Sequence, residues 1–192
     1  MATSWTERIE KSIKKSRRIR GGNYVQLATV DAEGRPHCRT VVFRGFVDLP
    51  SGRTAMKMIT DARSDKVVQI QHNPLCELVW WFSQSSEQYR FEGTLELITS
   101  ESPDFQDVRT HQWSALSDPA RAQFFWSNAG LFDPQVDAEG VSTTEASDPP
   151  NTFVLVVLTP SVVKYLRLHD NYAQEEAWTT PNGWITVPPR AG

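Results

Sequence analysis

Hydrophobic and polar residues alternate along much of this chain, which is the pattern that half-buried β-strands produce. The segment 53–60 alternates in this way, whereas 152–160 is almost entirely apolar, as expected of a buried strand. Residues 32–35, which include Gly34, are typical of a turn that joins the first two strands as a hairpin. The predicted strands are 24–31, 36–46, 53–60, 76–83, 87–99, 152–160, 162–168 and 178–187.

The N-terminal segment 5–20 has helical spacing instead. Its apolar stripe consists of Trp5, Ile9, Ile13 and either Ser16 or Ile19. A hydroxyl residue is available to cap its start, either Ser4 or Thr6, and two glycines follow its end. The opposite face is basic and carries Arg8, Lys11, Lys14, Lys15, Arg17, Arg18 and Arg20. This face is either a solvated surface or a binding surface for an anionic partner, and the second reading would make the chain an interaction protein.

Two further helical segments and one acidic loop interrupt the strands. Residues 64–73 have helical spacing and end at Pro74, because proline disfavours helix in the residue before it. Residues 102–124 look helical, with a further short helix that starts at 118–119. Residues 133–150 carry five acidic residues, three prolines and no basic residue. We interpret them as a flexible loop.

The order of elements predicts the fold class. Many antiparallel strands with helices inserted between them indicate a mainly β fold, a small antiparallel β-barrel with peripheral helices, and not a doubly wound parallel sheet. The 192 residues are expected to form a single domain, 1–192.

Composition and charge narrow the possible partners and the compartment. A net charge of −3 gives no general attraction to nucleic acid, and no apolar run approaches the roughly 18 residues of a membrane span. The N-terminus lacks the apolar core of a signal peptide. The two cysteines, Cys38 and Cys76, form no disulfide framework and are expected to be small core residues. The expected location is cytoplasmic.

Common catalytic motifs are missing from the sequence. It contains no GxGxxG after a strand, no GxxxxGK[ST] and no GxSxG. The four histidines lack the spacing of a metal site, so we expect no metal and assign no catalytic residue.

Cationic and hydroxyl residues do gather at strand ends and at one helix start. They are Arg39, Thr40 and Arg44 in the second strand, Ile59 and Thr60 at the end of the third, and Arg63, Ser64 and Lys66 at the start of the helix. A helix N-terminus offers free N–H groups and a partial positive charge, so this set predicts an anion site for a phosphate. The alternative is a capped helix with exposed charges. Because side chains alternate along a strand, Arg39 and Arg44 should lie on opposite faces unless a bulge or bend near Gly45 brings them together.

Three stretches, "RTVVFRGF", "MITDARSDKVVQIQHNP" and "EQYRFEGTLELI", follow one another in a characteristic order. In this respect the chain resembles the pyridoxamine 5'-phosphate oxidase family of FMN-binding split β-barrels, and most closely its oxidase-related branch. The resemblance covers residues 24–98. Its matching positions are Arg39, Arg44, Ile59, Thr60, Ser64, Lys66, Asn73, Pro74, Gln88 and Gly93.

The resemblance implies a cofactor, a subunit arrangement and residue roles. FMN would lie at the interface of a homodimer, with its phosphate held by Arg39, Ser64 and Lys66 and with Arg63 nearby. The segment Thr40, Val41, Val42 and Phe43 would line the flavin ring. Ile59 and Thr60 are also implied cofactor-binding residues, and Thr60 would contact the cofactor directly. Gln88 would reach the cofactor from the partner subunit. Arg44 stands where the family usually has Lys, near flavin and substrate.

Two later segments match the family less well. Residues 109–130 contain Arg121, which is either a substrate or cofactor contact or a helix-surface charge. The tetrapeptide "RLHD" at 167–170 occurs in the central vitamin B6 enzymes, but it falls about five residues early here, and we interpret it as coincidental. The family's later arginine positions coincide with 171 and 174, which are not arginines.

The leading hypothesis is therefore a flavin-dependent oxidoreductase that acts on a small substrate, for which pyridoxine or pyridoxamine phosphate is the named candidate. The alternative is an FMN-binding or flavin-binding protein without efficient turnover.

Overall fold

The structure is a computed structural model and describes residues 4–137 and 148–189. Its strands are β1 (Tyr24–Val30), β2 (Pro36–Val42), β3 (Phe46–Asp48), β4 (Thr54–Asp61), β5 (Leu75–Phe82), β6 (Glu87–Ile98), β7 (Phe153–Arg167), β8 (Tyr172–Thr179) and β9 (Gly183–Val187). Its helices are α1 (Trp5–Ser16), α2 (Asp65–His72), α3 (Gln106–Ser114), α4 (Asp118–Ala122) and a short 3-10 helix, Gln123–Phe125. Most of the predicted acidic loop lies outside the described residues.

All strand pairs are antiparallel and belong to one sheet with the order β2-β1-β5-β6-β7-β4-β3. The long strand β7 pairs with β4 through its first half and with β8 through its second half, and β9 extends the sheet from β8. The helices lie at the periphery of this sheet. The predicted mainly β, antiparallel architecture is confirmed.

The two ends of the sheet meet where the chain leaves β2. The backbone N–H of Arg44 donates to the carbonyl of Lys57 in β4, and the N–H of Lys57 donates to the carbonyl of Gly45, both at 2.8 Å. Gly45 has φ +117°, a conformation that side-chain-bearing residues rarely adopt. β2 therefore ends at Val42, not at 46 as predicted, and the bend closes the sheet into a barrel.

The second half of the chain differs from the predicted elements in two places. The segments 152–160 and 162–168 form the single strand β7, because a bulge at Ser161 of β7, opposite Glu92/Gly93 of β6, takes up one residue and shifts the register next to Pro160. A bulge tolerates a proline, which has no N–H to donate to the ladder. The predicted terminal strand 178–187 is instead a hairpin of β8 and β9.

Helix α1 packs on the barrel through its apolar stripe. The side chains of Trp5 and Ile9 are at most 1% exposed, and the ring of Trp5 meets that of Phe91 edge to face at 5.6 Å. Ser4 is the N-cap of α1 and accepts a hydrogen bond from the N–H of Glu7. The helix ends at Ser16, four residues earlier than predicted.

A buried carboxylate, Glu87 of β6, ties α1 to the barrel. It accepts hydrogen bonds from Tyr165 at 2.6 Å, from Ser12 of α1 at 2.8 Å and from Ser85. Burial raises the pKa of the Glu87 carboxyl, but these hydrogen bonds and the nearby Lys15 charge outweigh it, so the pKa lies below its usual value.

The two cysteines have different environments. Cys76 of β5 is half-buried, and burial raises the pKa of its thiol to about 12. Cys38 of β2 is exposed, together with Thr40 on the same face, so the prediction that it is a core residue was wrong. The reason is that this face of β2 is not covered by any other described element. Across residues 4–137 and 148–189, no helix is both long and apolar enough to span a membrane.

The close approach of β7 at its bulge predicts a strict requirement for glycine at position 93 of β6. A Cβ there would stand 2.4 Å from the carbonyl oxygen of Thr159, a backbone atom that cannot move aside. Gly93→Ala should lower the free energy of unfolding by about 1–3 kcal/mol, measured by chemical denaturation. Glu96→Ala, at an exposed position of the same strand, is the control. Equal destabilisation by the two substitutions would contradict this explanation.

The hydrogen bonds of Glu87 predict a pH-dependent contribution to stability. Because the pKa is lowered in the folded state, the ionised carboxylate stabilises the fold above the unfolded pKa, and this contribution is lost as the pH falls through the folded value. Glu87→Gln should therefore cost about 1–2 kcal/mol at neutral pH. The difference from wild type should shrink below about pH 4. Denaturant titrations at several pH values measure it, and a difference independent of pH would contradict the prediction.

Candidate functional site

A cleft of about 290 Å³ lies where β2, β4 and the start of α2 meet the segment around α4. Most of the predicted site residues line it: Arg39, Thr40, Val41, Val42, Arg44, Ile59, Thr60, Ser64 and Lys66. The cleft is completed by Asp61, Ala120, Gln123, Phe124, Ala129 and Gly130, which the sequence analysis missed. The structure thus brings the three separate sequence segments together at one place.

One end of the cleft is built on the first turn of α2. The ammonium group of Lys66 donates to the hydroxyls of Ser64, at 2.5 Å, and of buried Thr60, at 3.0 Å. Ser64 is the N-cap of α2, yet its side chain makes no capping hydrogen bond to the helix backbone. The first N–H groups of a helix lack intrahelical partners, so this end presents hydrogen-bond donors and positive charge.

The guanidinium of Arg39 lies beside this helix. Its Nη1 donates to the hydroxyl of Thr29 at 2.6 Å and to the carbonyl of Leu27 at 3.2 Å, and its Nη2 donates to the amide oxygen of Gln69 at 2.8 Å. Burial lowers the pKa of Arg39, and burial followed by the Arg39 charge lowers the pKa of Lys66. Two cations are therefore held close together without a carboxylate between them.

The acidic residue that lines the cleft, Asp61, forms an ion pair within its own segment. Its carboxylate forms a two-point ion pair with Arg63, at 2.9 Å to Nε and 2.7 Å to Nη2. Arg63 also donates to the carbonyls of Trp126 and Ser127, and it does not line the cleft. This pair engages the carboxylate of Asp61, so that Asp61 acts on Lys66 only at a distance, where its charge raises the pKa of the ammonium group.

Arg44 lies in the same cleft as Arg39, although five positions separate them. The bend at Phe43–Gly45 takes Arg44 off the strand, so the strict alternation of faces no longer applies to it. Its Nε is buried without a hydrogen-bond partner in the described part of the chain, and burial lowers its pKa. The bend near Gly45, one of the two predicted arrangements, is the one that fits.

None of the ion pairs within residues 4–137 and 148–189 involves Arg39, Arg44 or Lys66. Cations removed from water are costly unless a counter-charge or hydrogen bonds compensate. The cleft is consequently suited to an anionic ligand.

Other predicted residues lie elsewhere. The side chain of Phe43 packs into the barrel core against Trp80, with ring centroids 4.6 Å apart. Gln88 lines a separate cleft with Arg90 and Lys164. Arg121 pairs with Asp118 on α4, as expected of a helix-surface charge.

The "RLHD" segment lies at the turn between β7 and β8. Arg167 pairs with Asp170 at 2.6 Å and stacks on the ring of Tyr172 at 5.3 Å. Within one chain it lines a cleft beside α1, not the cleft of Arg39.

The residues that hold Arg39 were also missed, although the sequence contains a signal for them. Thr29 continues the buried face of Val25 and Leu27 in β1, and Gln69 lies between Val67 and Ile70 in α2. Both polar residues occupy positions where the periodic pattern calls for an apolar side chain. The described residues contain no group of three or more His, Cys, Asp or Glu side chains placed to hold a metal ion.

Comparison with known sequences identifies the family of this chain. The family model described as "Pyridoxamine 5'-phosphate oxidase, FMN-binding domain" matches residues 2–99. Pyridoxine/pyridoxamine 5'-phosphate oxidase 2 of Arabidopsis thaliana is 32% identical over 170 residues, 87% of this chain and 84% of that protein. Pyridoxine/pyridoxamine 5'-phosphate oxidase of Pseudomonas putida (strain W619) is 36% identical over 88 residues, but the match spans only 45% of this chain and 39% of the relative.

Solved structures give the same fold. The crystal structure of a pyridoxamine 5'-phosphate oxidase-related, FMN binding protein from Nostoc punctiforme matches with a TM-score of 0.84 and 32% identity, over 98% of each chain. PhzG from Burkholderia lata, solved with tetrahydrophenazine-1-carboxylic acid, matches with a TM-score of 0.71 over 95% of this chain and 88% of that one. At 18% sequence identity, this match shows a shared fold and nothing more.

These comparisons confirm the predicted split-barrel fold and FMN as the cofactor of the family. The chain belongs to the pyridoxamine 5'-phosphate oxidase family of FMN-binding split barrels.

Proposed function

We propose that the chain holds FMN in the cleft of Arg39, Arg44 and Lys66 and acts as a flavin-dependent oxidoreductase on a small substrate. The observation that carries this proposal is the set of half-buried cations at the start of α2 with no carboxylate bound to them. A phosphate monoester supplies the missing negative charge and accepts several hydrogen bonds at once.

The residues present fit the two chemically different ends of FMN. Arg39, Ser64, Lys66 and the N–H groups of α2 suit the phosphate. Thr60 is buried beside them and already positions the ammonium of Lys66 at 3.0 Å. The other lining residues are more apolar and suit one face of the flavin ring: Thr40, Val41 and Val42 of β2, Ile59 of β4, and Phe124 of the 3-10 helix.

The size of the cleft supports a homodimer. Ligand pockets commonly enclose about 300–1,000 Å³, so a cleft of about 290 Å³ in one chain is small for FMN. The exposed face of β2 beside it, with Cys38 and Thr40, is available for a second subunit. Gln88 lies in a separate cleft of its own chain and would therefore reach the flavin only from the partner subunit, as the family resemblance implies.

FMN, when bound, supplies a ring that takes up a hydride equivalent from a substrate and passes the electrons to an acceptor. The side chains lining the cleft include no His, Cys or Tyr, and its arginines do not release protons near neutral pH. We propose that these residues bind and orient the flavin and the substrate, and that Arg44 holds an anionic group of the substrate near the flavin ring. The name of the Arabidopsis relative makes pyridoxine or pyridoxamine phosphate the first candidate substrate.

A second candidate function is FMN binding without efficient turnover. Two observations favour it: Arg44 replaces the lysine usual in the family, and Arg167 is engaged by Asp170 on its own turn. Incubation of the FMN-loaded protein with pyridoxamine phosphate distinguishes the two functions. Peroxide and aldehyde would support the oxidase, and absence of both would favour the binding protein.

The cofactor proposal predicts a yellow protein. After purification, the visible spectrum should show flavin absorbance, and mass spectrometry of the released ligand should identify FMN. Protein that lacks flavin should bind added FMN and gain a higher melting temperature, because a ligand that binds only the folded state stabilises it. Protein that neither retains nor binds FMN would contradict the proposal.

The phosphate site predicts the effect of removing one cation. Arg39→Ala or Lys66→Ala should weaken FMN binding by about 1.5–3 kcal/mol, the usual range for a hydrogen bond to a charged group. Lys14→Ala removes the same charge from the exposed face of α1 and serves as the control in the same titration. Unchanged affinity in both cleft variants, or an equal loss in the control, would contradict the site assignment.

A further inference from the structure

We propose that Thr29 and Gln69 are positioning residues, which hold the Arg39 guanidinium ready for the phosphate of the cofactor. The inference rests on the proposed FMN site and adds two residues to it that do not line the cleft. They act through Arg39 and not by contact with the ligand.

The three side chains form a closed set of hydrogen bonds. Thr29 donates its hydroxyl proton to Gln69 Oε1 at 2.6 Å. Arg39 Nη1 donates to the same hydroxyl at 2.6 Å, and Arg39 Nη2 donates to the same amide oxygen at 2.8 Å. Since guanidinium has only donors, the amide of Gln69 must turn its oxygen toward Arg39.

Two N–H groups of Arg39 remain available to a ligand. A guanidinium has five N–H bonds, and three of them point to Thr29, Gln69 and the carbonyl of Leu27. The Nε–H and one Nη2–H have no acceptor within the residues that the structure describes. Two N–H groups on one guanidinium match the two-point recognition that arginine gives to phosphate.

The chemistry of the holding residues explains why the site keeps its charge. Both Thr29 and Gln69 are neutral, so they orient Arg39 without cancelling its positive charge. They are 1% and 7% exposed, and they belong to β1 and α2, so packing on two elements fixes them. A carboxylate at either position would pair with Arg39 and compete with the phosphate.

A comparison of FMN with riboflavin isolates this effect, because riboflavin lacks the phosphate. The variants are Gln69→Leu and Thr29→Val, which keep the side-chain volume and remove the acceptor. Each should weaken FMN binding about tenfold, the cost of roughly one hydrogen bond to a charged group, and should change riboflavin affinity by less than about twofold. The matched control is Gln71→Leu, since Gln71 lies on the exposed side of the same helix.

Two further variants separate positioning from general damage to the fold. In an Arg39→Met background, Gln69→Leu should have no additional effect on the ratio of FMN to riboflavin affinity, because the residue through which it acts is gone. Gln69→Glu keeps the acceptor but adds a charge, and it should lower FMN affinity at least as much as Gln69→Leu while leaving riboflavin affinity unchanged. A merely structural role would lower both affinities together.

The outcomes distinguish the inference from the proposed function. If wild type binds FMN no more tightly than riboflavin, the phosphate site itself is wrong and the inference falls with it. If wild type prefers FMN and all single variants keep that preference, only the positioning role is overturned. A full effect of Gln69→Leu in the absence of Arg39 would also overturn it.

Discussion

The backbone pairing of Arg44 and Gly45 with Lys57 is the constraint on which the candidate site depends. These two hydrogen bonds join the end of β2 to β4, which are distant in the strand order of the sheet. They close the barrel, and they also bring together β2 and β4, which both line the cleft. Without the left-handed conformation of Gly45, Arg44 would continue along β2 and point away from Arg39. Closure of the core and assembly of the site therefore have the same cause.

Much of this arrangement could be predicted from the sequence. Alternation identified most strands, and the basic and hydroxyl residues at the start of α2 identified one end of the cleft. The end of β2 could not be placed, because the period of the apolar residues does not change at Phe43 and only the pairing with Lys57 shows the bend. For the same reason the pattern could not show that β7 continues past Pro160, which depends on the bulge at Ser161 and on the pairing of β7 with β6.

The residues that the sequence analysis missed share one property: their roles depend on contacts between distant segments. Ala129 and Gly130 carry no distinctive chemistry and reach the cleft only because α4 and the following turn pack beside β4. Arg63, in contrast, was included in the predicted site, because its charge next to Ser64 indicated a phosphate contact. Its pairing with Asp61, two positions away, engages it instead.

The charge balance of the cleft connects its stability with its function. Three half-buried cations without carboxylate partners lose hydration, and Arg39 and Lys66 also repel each other, so the arrangement is less stable than one with a counter-charge. Neutral acceptors around Arg39 limit this cost through hydrogen bonds, and the carboxylate of Asp61 forms its ion pair with Arg63 and not with a cation of the cleft. The folded chain thereby retains a deficit of negative charge at one place. An anionic ligand would remove that deficit on binding, and this is the physical basis of the proposed preference for a phosphate-bearing flavin over a neutral one.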